Sequence, residues 1–149
     1  MQPIPRRLFR YGFARYPELR RRVVRAQRLP IPGLTAKAIR PAVEWYARAD
    51  GRRATEAGVR ADVAALPALL DHVDQLLGDG TLTLDPPNAA TLQIMATVNL
   101  MARFGDLAEL VASHACGAPA REIFSNYRAE LPPFLDPAWL EPTRGAPVA

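Results

Sequence analysis

The sequence predicts an all-α protein, and three observations support that fold class. Between Asp85 and Arg103, seventeen consecutive residues carry no charge. In residues 56–77, apolar side chains recur at alternating steps of four and three, which is the spacing of one face of an α-helix. Alternation of period two, which is typical of strands, nowhere lasts beyond four residues. With 149 residues, the chain has the length of one domain with one core.

The uncharged stretch predicts a central helix over residues 88–106. Two prolines precede Asn88, whose side chain can accept a hydrogen bond from a free N–H of the first turn, and Gly105 is expected to end the helix. Because apolar side chains surround the axis, we expect the helix to lie at the centre of a bundle with no solvent-exposed face. A membrane span is the alternative interpretation. The stretch is shorter than the roughly 20 apolar residues that a bilayer requires, so no membrane span is predicted.

A second, amphipathic helix is predicted over residues 56–77. Thr55 is suited to cap its N-terminus. The apolar stripe consists of Val59, Val63, Leu66, Leu70, Val73 and Leu77. Pro67 lies inside the helix and is expected to bend it, because proline lacks the N–H that would bond to the carbonyl one turn earlier. Residues 78–80 are expected to end the helix, and residues 81–84 to form a short extended link.

Residues 1–54 are predicted to be N-terminal helices and a connector that belong to the same bundle. A helix over residues 3–29 is expected to be broken or kinked by Pro17. Residues 29–33 contain two prolines and are expected to be extended. A further helix is predicted over residues 35–48. The side chains expected to face the core are Leu8, Tyr11, Leu19, Val23, Ile39, Val43 and Tyr46.

Residues 55–140 are predicted to form the helical core of the domain. After the central helix, one or two helical turns are expected over residues 107–112, and a last helix over residues 119–127 begins with a proline in its first turn. From Leu131 onward, repeated prolines predict an extended segment. Four of its side chains are expected to be pinned to the body: Phe134, Leu135, Trp139 and Leu140. Residues 141–149 are predicted to be a flexible tail.

Cysteine and histidine usage narrows the function classes. The single cysteine, Cys116, excludes an internal disulfide and a cysteine-built zinc site. The two histidines, His72 and His114, stand far apart in the sequence, so no metal site is predicted. The N-terminus has arginines but no apolar run of signal-peptide length, and we therefore expect a cytoplasmic protein.

The positive charge is concentrated at the N-terminus. Residues 1–28 contain nine arginines and one glutamate, with the aromatic residues Phe9, Tyr11, Phe13 and Tyr16 among them. Such a segment is able to contact phosphates of nucleic acid or of an anionic membrane. Lysine occurs once, however, and this bias towards arginine is also typical of a GC-rich genome. We interpret the segment as a solvated helix face or a face that meets an acidic partner domain, and nucleic acid is not the expected partner.

Two pairs of side chains are candidates for chemistry. Cys116 precedes a predicted helix start and has His114 two residues away, so it is either an activated thiol or a loop cysteine without an orienting third group. Asp71 and Asp74 lie one helical turn apart and either share a cation or form a solvated face. We favour the second interpretation for both pairs, and we assign no catalytic residue.

Several segments occur in an order known from one family. The segment LPALLDHVDQLL (66–77) is similar to a long helix that ends in a glycine turn. The segment PPNAATLQIMATVNLM (86–101) is similar to a buried central helix with an N-capping box. Gly105-Asp106-Leu107, the loop of His114 and a segment with proline and tryptophan then follow. In this order, residues 56–140 resemble the C-terminal, all-helical domain of the glutathione S-transferase family, which implies an orthogonal helical bundle.

The chain departs from the family pattern in two places. The family's capping box has an aspartate three residues after the cap, where this chain has Thr91 after Asn88, so the reciprocal bond back to the cap is expected to be weakened or lost. In the family, the thiol of glutathione is activated mainly by a thioredoxin-like domain, and no such pattern occurs in this sequence. The resemblance therefore implies that the isolated chain is an inactive part of a transferase, either standing alone or belonging to a longer protein.

The resemblance also implies a role and partners. We expect the domain to contribute a pocket for an apolar substrate and a docking face, with glutathione bound only when a thioredoxin-like domain is supplied in cis or in trans. Trp45 and Tyr46 belong to the region that helps to wall this pocket in the family, although in a plain helical bundle they would be core residues. The alternative is a standalone, non-catalytic interaction or ligand-binding protein that forms a homodimer.

Overall fold

The computed structural model describes residues 3–19, 54–126 and 130–144, together with the single positions 41, 45 and 49. Its helices are α1 (Pro3–Arg15), α2 (Glu56–Gly78), α3 (Ala89–Met101), α4 (Ala108–Ala112), α5 (Gly117–Ile123) and α6 (Pro137–Arg144). Within these residues, extended pairing is limited to isolated bridges, one between Leu84 and Pro87 and one between Phe104 and Leu131. The prediction of an all-α protein is confirmed.

Helix α2 forms as its sequence pattern predicts. The Thr55 hydroxyl accepts a hydrogen bond from the Gly58 amide at 3.2 Å, which satisfies one of the free N–H groups of the first turn. The stripe is buried at Val59, Val63, Leu66, Leu70 and Val73 and half-buried at Leu77. The helix continues through Pro67 and ends at Gly78. Gly80 then adopts a φ of +79°, a left-handed conformation that glycine tolerates and that reverses the chain.

The link between α2 and α3 is a bend followed by a tight turn, so the extended link predicted over residues 81–84 is wrong. Leu84 pairs with Pro87 across the turn. The chain turns back because the Leu82 amide donates to the Leu76 carbonyl at 2.9 Å, and the Leu82 side chain is buried in the core.

The N-terminus of α3 is capped by Asn88, as predicted. Its side-chain oxygen accepts a hydrogen bond from the Thr91 amide at 2.8 Å. The Thr91 hydroxyl lies 2.9 Å from the Thr83 carbonyl oxygen and 3.0 Å from the Asn88 side-chain oxygen. Thr91 therefore ties the preceding link to the helix, and its hydroxyl is turned to these oxygens instead of to the amide of Asn88.

Helix α3 has a solvent-exposed face, which contradicts the prediction that it is buried on all sides. Met95, Val98 and Met101 are fully buried in the core. The opposite stripe is exposed at Ala89, Leu92, Gln93 and Ala96. Three polar side chains of the helix are buried instead, and each has a hydrogen-bond partner. Thr91 has the partners given above, the Thr97 hydroxyl donates to the Gln93 carbonyl at 3.1 Å, and Asn99 accepts from Arg103 at 3.1 Å. None of the helices in the described residues combines the length and apolar character that crossing a membrane requires.

Helix α3 ends at Met101, earlier than the end that Gly105 predicted. The reason is a long-range backbone pairing, in which the Leu131 amide donates to the Arg103 carbonyl at 2.8 Å and the Gly105 amide donates to the Leu131 carbonyl at 3.0 Å. A Cβ atom on Gly105 would lie 2.9 Å from Cδ of Pro133. Glycine is therefore required here for the close approach of two chain segments.

Short helices follow α3. The predicted turns over residues 107–112 are confirmed as α4. The helix predicted over residues 119–127 is α5, which begins at Gly117 and ends at Ile123; Tyr127 lies outside the described residues. Helix α5 packs against α3.

The C-terminal segment contains α6, so the extended segment predicted from Leu131 and the flexible tail predicted over 141–149 are wrong where they overlap this helix. Pro137 starts α6, and the carboxylate of Asp136 accepts a hydrogen bond from the Ala138 amide at 2.9 Å. The four side chains expected to be pinned are buried: Phe134, Leu135, Trp139 and Leu140. Helix α6 packs against α2. Residues 145–149 lie outside the described residues.

Helix α1 packs against α2 and also contacts α3. Its buried side chains include Leu8 and Tyr11, as predicted, and Ile4. The helix ends at Arg15, before Pro17, and residues 17–19 are again helical, with Leu19 buried. The remainder of the helix predicted over 3–29, the connector and most of the helix predicted over 35–48 lie outside the described residues, although positions 41, 45 and 49 are helical.

Candidate ligand-binding groove

A groove of about 220 Å³ lies between the start of α1 and the exposed face of α3. Its lining residues are Pro5, Arg6, Gln93, Ala96, Thr97 and Leu100. Helix α1 supplies Pro5 and Arg6, and the other four come from α3. Pockets for drug-sized ligands span roughly 300–1,000 Å³. The volume of the groove therefore suits a ligand smaller than a typical drug.

The α3 side of the groove follows from the composition of that helix. Gln93, Ala96 and Leu100 are separated by three and four residues, so they lie on one side of the helix. None of the residues of α3 is charged, so this wall carries no charge and is mainly apolar. The Thr97 hydroxyl is turned back to the Gln93 carbonyl of its own helix. Among the described lining residues, the polar groups that remain to orient a ligand are the Gln93 amide and the Arg6 guanidinium.

The α1 side of the groove is held in place by Arg7, the neighbour of Arg6. The Arg7 guanidinium lies 3.1 Å from the Asp62 carboxylate and donates to the Gly58 carbonyl at 3.4 Å, which fastens α1 to α2. Burial raises the pKa of Asp62, and the attraction of Arg7 opposes this shift by favouring the charged carboxylate. One oxygen of Asp62 is buried without a hydrogen-bond partner. This agrees with a carboxylate for which the cost of losing water is larger than the favourable attraction to Arg7.

The C-terminal end of α1 is held by Arg15. Its guanidinium lies 4.0 Å from the centre of the Tyr11 ring, a cation–π contact, and donates to the Ala54 carbonyl at 3.5 Å. Burial is the main reason that the pKa of the Tyr11 phenol is raised. Arg7 and Arg15 therefore stabilise the bundle, and the arginines at positions 20–28 lie outside the described residues. Two aromatic side chains of α1 also pack on each other, because the Phe9 and Phe13 rings are stacked with 5.3 Å between their centres.

Of the two residues proposed from the family resemblance, Trp45 is not among the described residues that line this groove. The Trp45 side chain is 70% exposed, so it is not a core residue. Tyr46 lies outside the described residues. The sequence interpretation missed Arg6, Gln93, Ala96 and Leu100. The spacing of Gln93, Ala96 and Leu100 indicated that these three residues share one side of α3. The sequence did not show which side faces solvent, because the other side, with Met95 and Val98, is also free of charge.

Cys116 is not an activated thiol, because it is fully buried. Burial and the nearby Asp74 carboxylate raise the pKa of Cys116 to about 12, so the thiol is protonated at neutral pH. His114 does not serve as its base. One ring nitrogen of His114, Nδ1, lies 2.8 Å from the Leu110 carbonyl oxygen, and Nε2 lies 3.3 Å from Asp71.

Asp71 and Asp74 hold the loop that leads into α5. The two oxygens of Asp74 accept hydrogen bonds from the Cys116 amide at 2.7 Å and the Ala115 amide at 3.0 Å. Asp71 is mostly exposed and contacts His114. Both carboxylates thus link α2 to a loop some 40 residues later in the chain. This role differs from both interpretations of the sequence, a shared cation and a solvated face. Within the described residues, no group of three or more His, Cys, Asp or Glu side chains is placed to hold a metal ion.

Comparisons with family models, with curated proteins and with solved structures found no match for the chain. The groove between α1 and α3 is therefore interpreted from its own residues.

Proposed function

We propose that this chain is a helical module that binds an apolar ligand and docks onto a partner, of the kind formed by the C-terminal domain of glutathione S-transferases. One observation carries the proposal: α3 has no charged residue, and its exposed stripe, which is apolar apart from Gln93, borders the groove. An uncharged, solvent-facing helix surface of this kind is typical of a binding site. In this proposal the groove is the substrate pocket, and the N-terminal end of the stripe is the docking face.

The family assignment within this proposal is supported by the order and capping of the helices. A long helix capped by Thr55 precedes a central helix capped by Asn88, and short helices follow. A C-terminal segment containing Trp139 returns to the long helix. The proposed architecture is an orthogonal bundle built around α2 and α3.

The chemistry in this proposal comes from a partner. Activation of a thiol such as that of glutathione needs a hydrogen-bond donor or positive dipole aimed at the sulfur. The only cysteine of this chain is buried and protonated, and it is used for packing. Glutathione would therefore be held by a thioredoxin-like domain, in cis or in trans, while this chain supplies the apolar pocket.

The docking face is defined by Leu84 and Leu92, which are each 43% exposed at the start of α3. In this proposal the partner covers these two side chains, as exposed apolar patches are covered at protein interaction sites. In the isolated chain, the proposal predicts that this face leads to self-association. The standalone homodimer is the alternative outcome, in which the second copy is the physiological partner.

The test measures turnover and association together. Purified chain is incubated with glutathione and a generic aromatic electrophile, and its mass is followed by sedimentation velocity for the wild type, Leu92→Glu and the control Gln75→Glu, which lies on exposed α2 surface. We expect no turnover above the uncatalysed rate, self-association of the wild type and of Gln75→Glu, and a monomeric Leu92→Glu. Turnover well above background would show a self-sufficient enzyme, and a strictly monomeric wild type would overturn the docking face.

A further inference from the structure

Among the described residues that line the groove, Arg6 is the charged one. It differs from its neighbours on α1, because Arg7 is paired with Asp62 and Arg15 is bound to the Tyr11 ring and the Ala54 carbonyl. Arg6 is exposed and forms no ion pair with another of the described residues. Its guanidinium therefore keeps its donors for an external acceptor.

Apart from Arg6, Gln93 and Thr97, the described side chains that line the groove are short or apolar. Pro5 lies at the α1 side, and Ala96 and Leu100 lie on α3. Ala96 has the smallest side chain among the described residues that line the groove. An apolar chain laid along α3 would contact Ala96 and Leu100 while one end reaches Arg6.

We propose that the groove binds a small apolar molecule with one carboxylate, whose hydrocarbon part lies against Ala96 and Leu100 and whose carboxylate pairs with Arg6. This inference rests on the proposed function, because it takes the groove as the substrate pocket, and it adds the charge that the ligand carries. A guanidinium binds a carboxylate through two parallel hydrogen bonds, which gives a fixed orientation to the head group. The volume of the groove favours a ligand smaller than most drugs.

The experiment compares octanoate with 1-octanol, which has the same chain length and no charge. Each is titrated into isotopically labelled protein, and the backbone amide signals of Gln93, Ala96 and Leu100 are followed by NMR. Two charge-matched variants are included: Arg6→Gln removes the proposed contact, and Arg121→Gln removes an exposed arginine on α5 that does not line the groove. Because both positions are exposed, both variants are expected to fold, and circular dichroism checks this.

We expect octanoate to shift the three amide signals, and Arg6→Gln to weaken its affinity by about tenfold or more, in line with the loss of a charge-assisted hydrogen bond. Arg121→Gln should leave the affinity unchanged, and neither variant should alter the binding of octanol. Equal affinities for octanoate and octanol, with no effect of Arg6→Gln, would overturn this inference and leave the apolar pocket of the proposed function intact. Absence of any shift at the three amides with either compound would overturn both the inference and the groove as the pocket.

Discussion

The Asp106 carboxylate accepts a hydrogen bond from the Phe134 amide at 2.8 Å and thereby joins the segment after α3 to the approach of α6. The same oxygen also accepts from the Leu135 amide at 3.2 Å. The Phe134 ring packs against Phe104 with 5.8 Å between the ring centres, so polar and apolar contacts act at one place. One side chain thus fixes the path along which the chain returns from α5 towards α2.

Replacing Asp106 with alanine should destabilise the protein. The change leaves the amides of Phe134 and Leu135 without their acceptor, and hydrogen bonds to a charged group contribute about 1.5–3 kcal/mol each before relaxation. We expect the free energy of unfolding, measured with urea, to fall by about 2–3 kcal/mol. Asp106→Asn keeps an acceptor oxygen and is the matched control, so it should lose clearly less. Equal losses in the two variants would show that the amides do not depend on this acceptor.

The same residue predicts a pH dependence of stability. Burial raises the pKa of Asp106 in the folded protein above its ordinary value of 3.8, although the amide hydrogen bonds act in the opposite direction. A raised pKa means that the folded state binds the proton more tightly than the unfolded state. The stability that protonation of Asp106 contributes is therefore fully present below pH 3.8 and is lost as the pH rises through the folded-state pKa. Both amides donate to Oδ2, which remains an acceptor when the other oxygen carries the proton.

Urea unfolding of the wild type and of Asp106→Asn over a series of pH values isolates this contribution, since other carboxylates titrate in both proteins. We expect the stability of the wild type relative to Asp106→Asn to increase as the pH is lowered towards 3.8. A difference that grows in the other direction, towards neutral pH, would contradict the raised pKa.

The regular parts of the fold were predictable because local signals agree there. In α2, the Thr55 cap and the apolar stripe both depend on residues within a few positions of one another, and the structure matches them. In α3, the cap was predictable but the exposed face was not. Leu92 is exposed and Asn99 is buried, because Asn99 accepts a hydrogen bond from Arg103 and the packing of neighbouring helices selects the buried side.

Other features depended on contacts between distant residues. Asp74 binds the amides of Ala115 and Cys116, and nothing in the α2 sequence indicates this contact. The missed helix α6 had a local signal, since an aspartate followed by proline is suited to a helix start. Asp136 and Pro137 were instead counted with the surrounding prolines as signs of an extended segment. The groove needs α1 beside α3, and no local pattern predicts that arrangement.

Two glycines of this chain should respond oppositely to alanine. A Cβ atom on Gly117 would overlap the Val111 carbonyl oxygen and lie 3.0 Å from the Val111 carbonyl carbon, and these backbone atoms cannot rotate away. Overpacking of this kind costs about 1–3 kcal/mol or more, so Gly117→Ala should lower the melting temperature and the free energy of unfolding. A Cβ atom on Gly78, the last residue of α2, would meet nothing within 4 Å. Gly78→Ala should therefore be neutral or stabilising by up to about 1 kcal/mol.

Both glycine variants are measured by thermal unfolding followed by circular dichroism. A Gly117→Ala protein with the melting temperature of the wild type would show that α5 does not approach Val111 closely.

Asp74 should control both stability and the reactivity of Cys116. Asp74→Ala removes the acceptor of two amides and a negative charge near the thiol, so we expect a loss of about 2 kcal/mol and faster alkylation. Asp71→Ala is the matched control one turn away. Its exposed carboxylate contacts the His114 ring, and such surface pairs contribute about 0–1 kcal/mol.

The measurement is the rate of iodoacetamide modification at pH 8, with and without urea. Because the pKa of Cys116 is raised to about 12 and the side chain is fully buried, the native wild type should react at least about a hundredfold more slowly than the unfolded chain. Rapid modification of the native wild type would mean that the thiol is accessible and ionised, contrary to its surroundings.

Adjacent residues on α3 should differ completely in their tolerance of a charge. Met95 is fully buried, and an unpaired carboxylate in its place would cost several kcal/mol, a large part of the roughly 5–15 kcal/mol that stabilises a typical domain. Ala96 is exposed at the edge of the groove, so a carboxylate there stays solvated and costs only the lower helix preference of aspartate, up to about 0.7 kcal/mol. We expect Met95→Asp to abolish cooperative thermal unfolding and Ala96→Asp to retain it near the midpoint of the wild type. A Met95→Asp protein that melts cooperatively at the unchanged midpoint would show that α3 does not lie at the centre of the core. An unfolded Ala96→Asp protein would show that the exposed stripe of α3 is packed against the body of the protein and closed to ligands.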